Sequence, residues 1–118
     1  MYKRELPVDK KIYVLNCISS LEKIKEITVD SRVNYIRVMQ LNNNILFNLH
    51  LLVDYCGNYR KRLKEELLKL FDYFMRIKDM LDFYLDPILA EEEKDYKMLK
   101  DDIDKLIDKF NKILNNEI

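Results

Sequence analysis

Residues 63–84, LKEELLKLFDYFMRIKDMLDFY, set Leu63, Leu67, Leu70, Phe74, Ile77, Leu81 and Tyr84 at alternating steps of four and three. That period keeps every one of them on a single face of an α-helix, and Phe71 and Leu85 widen the face. A strand would need alternation with period two, and the stretch has none. The last part of the chain repeats the pattern: Tyr96, Leu99, Ile103, Leu106, Phe110 and Ile113, with Ile107 and Leu114 beside them. A third stripe runs through Val38, Leu41, Ile45, Leu49, Leu52 and Cys56. The first segment is looser, with Val14, Cys17, Leu21 and Ile24 on one stripe and Ile12, Leu15 and Ile18 on a neighbouring one.

The breaks fall between these stripes. Pro7 precedes the first. Asp30 and Ser31 are side chains suited to accept a backbone N–H at the start of the second. Gly57 is the only glycine of the chain and reads as the residue that closes that helix. Asp86-Pro87 places a capping carboxylate before a proline whose missing N–H would go unpaired anyway. The spacing predicts helices at about 8–27, 30–56, 59–85 and 88–116, within one domain of 118 residues. Each would be about 30–40 Å long. Short connections make neighbours antiparallel, so the expected fold is all-α, an antiparallel up-down four-helix bundle. One joint is open. A single aspartate cannot reverse the chain, so the last helix either starts nearer Lys94 or forms a long kinked helix across Pro87 that reaches a second subunit.

Charge is segregated. Residues 1–78 carry fifteen Lys and Arg against nine Asp and Glu, whereas residues 79–118 carry six against twelve. A net charge of zero therefore hides a basic part and an acidic part, each suited to an oppositely charged partner. The densest cationic run is Asn58-Tyr59-Arg60-Lys61-Arg62-Leu63-Lys64, beside Tyr55. Cations and an aromatic together suit phosphate and base contacts. Arg60, Lys61, Arg62 and Lys64, with Arg37, are the candidate nucleic-acid-binding residues. Lys3, Arg4, Lys10, Lys11 and Arg32 add to the basic part. The bland alternative is a solvated turn.

Other chemistries find little support. His50 and Asp54 share a helix face, but a zinc site needs three or four ligands and no partner motif supplies them. Cys17 and Cys56 do not pair under a hairpin turning near residue 29, which puts Cys17 opposite about residue 40. They read as reduced, buried thiols in a cytoplasmic protein. No spacing favours either thiol with His50 as a catalytic pair. Asp101 with Lys105, and Asp108 with Lys112, read as an ion-paired outer face rather than a cation site. Asn48 lies close to a core position of the second helix. There it would either demand a partner and fix register or sit at the edge of the stripe. The sequence thus predicts no enzyme, cofactor or metal. No apolar run is long enough to cross a membrane, and the opening residues 1–7 lack the apolar core of a signal peptide. The abundance of Lys, Ile, Asn and Tyr fits an AT-rich coding sequence, as in some bacteria, phages and large viruses.

The opening Leu-Pro-Val-Asp-Lys-Lys-Ile-Tyr (residues 6–13), the Tyr59-Arg60-Lys61-Arg62 turn and the two closing leucine-rich helices resemble the four-helix-bundle accessory variability proteins of diversity-generating retroelements. Related bundles are encoded in ribosomal-RNA intervening sequences. The resemblance implies a ring-forming oligomer without an active site, which binds a reverse transcriptase and its RNA through basic surfaces. Three functions are therefore expected: a self-associating accessory or adaptor protein with a protein partner and RNA as a further ligand, a nucleic-acid-binding protein, or a small phage or viral inhibitor of a host protein.

Overall fold

The structure is a computed structural model that describes residues 5–84 and 86–117; Lys3, Arg4 and Leu85, named above, lie outside the described residues. It is all-α, with no strand among the described residues. Four long helices, α1 (Val8–Glu26), α2 (Arg32–Cys56), α3 (Lys61–Phe83) and α5 (Lys94–Leu114), are joined by one short one, α4 (Pro87–Glu92). Helix α1 packs on α2 and α5, and α3 packs on the same two, in a rod of 50 × 23 × 21 Å.

The helix ends follow from local chemistry. Ser31 caps α2 by accepting the Asn34 N–H at 3.3 Å, while Asp30 accepts the Asn34 side-chain amide at 2.9 Å. Gly57 ends α2 with φ of 53°, a conformation that strains any residue with a Cβ. Asp86 accepts the Ile88 N–H at 2.9 Å, and Pro87 fills the first position of α4. At the end of α5, Asn116 takes the left-handed conformation. Its N–H reaches the Ile113 carbonyl and the Glu117 N–H reaches that of Lys112, the paired bonds of a Schellman motif.

The expected stripes form the core. Leu67, Leu70, Phe74, Ile77 and Leu81 of α3 are buried with Tyr96, Leu99, Ile103, Phe110 and Ile113 of α5. The Phe74 and Phe110 rings stack at 6.4 Å between centroids.

Four expectations are corrected. Residues 88–116 are not one helix: Glu93 is extended (φ −66°, ψ 136°) and separates α4 from α5, which starts at Lys94, one of the two starts left open above. Nor does a helix continue across Pro87, since Tyr84 and Asp86 are both extended and end α3 before the proline. In α2, Leu41 is only partly buried, and Asn42 takes a core position instead. The first hairpin is also in a different register. Cys17 lies against the Ile45 carbonyl rather than near residue 40, because the connection from Ile27 to Ser31 is extended and moves the turn forward.

Asn48 is 2% exposed and is not at the stripe's edge. It accepts from the Asn16 side chain at 3.1 Å and donates to the Asn44 carbonyl at 2.7 Å. Asn44 in turn donates to the Ser20 hydroxyl at 2.8 Å. A polar seam thus runs inside the α1–α2 contact, where an unpartnered amide would be costly. Asn42 donates to the Phe74 carbonyl at 3.1 Å and ties α2 to α3.

Candidate functional site

The turn from Gly57 to Arg60 brings the cationic run to one end of the rod. Lys64 donates to the Gly57 carbonyl at 2.9 Å. A cation near the start of α3 opposes that helix's dipole, but here it meets the negative C-terminal end of α2, where it is favourable. Arg60 donates to the Tyr55 hydroxyl at 3.4 Å, and its guanidinium stands 5.9 Å from the centre of the Tyr55 ring. The Lys10 ammonium addresses the same ring at 5.6 Å and the Tyr13 ring at 5.4 Å. The first turn of α1 therefore joins the cluster through an aromatic platform. Burial pushes the Cys56 thiol above its ordinary range, with Arg60 and Lys64 pulling the other way.

Lys61 and Arg62 face solvent, and Tyr59 is 94% exposed. Arg62 also lines a shallow depression of about 350 Å³ with residues of α5, among them Lys105, Lys109 and Lys112. These lysines come from the acidic half of the sequence, and periodicity alone did not place them here. They are partly answered: Lys109 pairs with Glu66 at 3.0 Å and Lys112 with Asp108 at 3.4 Å.

Arg37 does not join the site. It is exposed on α2, 19 residues before Cys56, or about 28 Å along the helix. The structure therefore brings together Arg60, Lys61, Arg62 and Lys64 and leaves Arg37 towards the other end.

Two cations missed in the sequence work inside the fold. Lys100 of α5 donates to the carbonyls of Ile24 and Ile27 at 3.2 and 2.5 Å, capping the end of α1. Its burial lowers its pKa. Lys25 meets Asp104 across the same two helices at 2.7 Å. The Tyr35 hydroxyl donates to the carbonyls of Leu81 and Tyr84 and closes the end of α3 in the same way.

His50 is exposed and pairs with Asp54 at 3.3 Å. Among the described residues, no group of three His, Cys, Asp or Glu is placed to hold a metal ion. Cys17 and Cys56 are free and buried. Among the described residues, no helix is long and apolar enough to cross a membrane. No protein family, curated protein or solved structure matches the chain.

Proposed function

We propose that this chain is a non-catalytic, cytoplasmic helical-bundle accessory or adaptor protein that self-associates and binds a partner protein, with RNA as a further ligand, as in a reverse-transcriptase accessory subunit. The observation that carries the reading is the exposed end formed by Tyr59, Lys61 and Arg62, fixed by Arg60 and Lys64 and standing opposite the carboxylates of the α3–α4–α5 junction. Charge separated along a rod favours end-to-end encounter with an oppositely charged surface. Two free cysteines suit a reducing compartment. Within this reading the long helices run up-down and antiparallel. Support comes from the pairings: Asn16, Cys17 and Ser20 meet Asn48, Ile45 and Asn44, and Tyr35 and Asn42 meet Leu81 and Phe74. Likewise Glu66 and Arg76 meet Lys109 and Asp95. Sedimentation at about 50 mM and about 1 M salt, where the screening length falls from above 10 Å to about 3 Å, tests self-association. Assembly at low salt is expected, and a monomer there rules it out.

A second reading, direct nucleic-acid binding, is favoured by the near-complete exposure of the Tyr59 ring beside cations. It predicts affinity for single-stranded RNA that falls steeply with salt. Replacing Tyr59 by Ala and Lys61 and Arg62 by Glu should abolish that affinity in fluorescence anisotropy. Unchanged binding would remove the reading.

A further inference from the structure

The second half of α3 and the start of α5 enclose an open groove of about 550 Å³. Met75, Met80 and Phe83 supply its apolar lining, and Phe83 is 77% exposed. Asp72, Asp79 and Glu93 supply its charged rim. The one cation of the lining, Arg76, is already engaged by Asp95 at 2.5 Å. Glu93 accepts from the Tyr84 hydroxyl at 2.9 Å. Asp72 and Asp79 make no hydrogen bond or ion pair among the described residues, and only the Lys78 charge acts on Asp79 at longer range, so the groove keeps a net negative rim around an apolar surface with two methionines. Such a surface adapts to an aromatic side chain flanked by cations.

The chain carries that chemistry itself, at the other end of the rod. Tyr59 is an almost fully exposed ring, followed at once by the exposed cations Lys61 and Arg62. The tip cannot fill its own molecule's groove. Lys61 and Asp79 stand 18 residues apart on one helix, about 27 Å. A second molecule has no such constraint.

We infer that the Tyr59–Arg62 tip of one copy docks into the Met75–Phe83 groove of the next, with Tyr59 against the methionines and Phe83 and with Lys61 and Arg62 against Asp72 and Asp79. This inference rests on the self-association proposed above and assigns the two surfaces that make it. The contact joins two different patches, so it propagates head to tail and leaves one tip and one groove open unless the assembly closes into a ring. A bundle 23 × 21 Å across offers roughly 500 Å² per copy in such a contact. That lies near the lower limit for a specific pair, so the association is weak and salt-sensitive. An oligonucleotide that engages the tip competes with the neighbouring copy.

The test uses two variants of the full chain, both with substitutions at exposed positions and both checked for native helicity by circular dichroism. One is the tip variant Tyr59→Ala/Lys61→Ala, which removes the ring and a cation without supplying a carboxylate; the other is the groove variant Asp72→Lys/Asp79→Lys. In sedimentation velocity at low salt the wild type assembles, and each variant alone stays monomeric, with association weakened at least tenfold. Mixed in equal amounts they form a one-to-one heterodimer and nothing larger, because together they retain one intact tip and one intact groove. If either variant alone still assembles as the wild type does, this docking is overturned while self-association through another surface stands. A mixture that stays monomeric also overturns it, and a wild type that is monomeric at low salt overturns both proposals.

Discussion

The side chains of Asn16 and Asn48 meet at 3.1 Å inside the α1–α2 contact, the amide of one donating to the carbonyl of the other. Apolar faces alone tolerate sliding by a helical turn, because one aliphatic residue replaces another at little cost. An amide pair does not, because a slipped register leaves a buried polar group without a partner. Asn48→Ala should therefore destabilise the protein by about 1–2 kcal/mol. Urea denaturation of Asn16→Ala, Asn48→Ala and the double variant should give a coupling energy of about 0.5–1.5 kcal/mol. Additive effects would show that the seam does not act as a unit.

Glu66 sits between two lysines, Lys109 of α5 at 3.0 Å and Lys69 of its own helix at 3.3 Å. The hydrogen bond from Lys109 is the main cause that holds its carboxyl below the ordinary value of 4.5. A depressed folded-state pKa means that the unfolded chain binds the proton first. The stabilisation is thus present above 4.5 and is lost as the pH falls through the folded value. Solvent screening keeps it below about 1 kcal/mol. Glu66→Gln should be slightly less stable than wild type at neutral pH, and the two should converge in acid. A stability gap that persists in acid would assign the effect to packing.

The residues that were legible in the sequence are those whose burial follows from position on an apolar stripe. Leu67, Leu70, Phe74, Phe110 and Ile113 needed only periodicity, and Gly57, Asp86 and Pro87 only local backbone preference. The polar seam was not legible in the same way. Counting apolar residues passes over Asn42 and Ser20, because a polar side chain becomes a core residue only when a neighbouring helix brings its partner. The start of α5 at Lys94 was one of the two readings left open at that joint, since a single aspartate cannot reverse the chain; what the sequence did not show is the bond by which Tyr84 holds the Glu93 carboxylate there. At the candidate site, the run Arg60–Lys64 was visible as a run. Its separation from Arg37 follows from helix rise alone, whereas its junction with Lys10 through Tyr55 depends on which helix ends adjoin.

Cys17 is fully buried, and its thiol lies 3.8 Å from the Ile45 carbonyl. Burial pushes its pKa to about 12. The thiolate is the reactive form, so at mildly alkaline pH folded Cys17 should react with a thiol reagent at least ~100-fold more slowly than an ordinary cysteine. Labelling that tracks global opening under increasing urea would agree with this. Rapid labelling without denaturant would contradict it.

The cations of the basic end divide into those that hold the turn and those that face water, and stability measurements should separate them. Lys64 bonds the Gly57 carbonyl at the end of α2, whereas Lys61 is exposed with no bond or ion pair among the described residues. Lys64→Glu removes a hydrogen bond to a helix C-terminus and adds a charge of the wrong sign there. It should cost about 1–2 kcal/mol. Lys61→Glu places a carboxylate in the first turn of α3, where the helix dipole favours it, and should be neutral or stabilising by about 0.5 kcal/mol. Thermal unfolding of the two single variants checks the sign of each effect. If Lys61→Glu nevertheless weakens self-association, its exposed charge acts between molecules rather than within the fold. Equal destabilisation by both substitutions would instead make the whole basic run structural and leave no cation of the α3 first turn available to a partner.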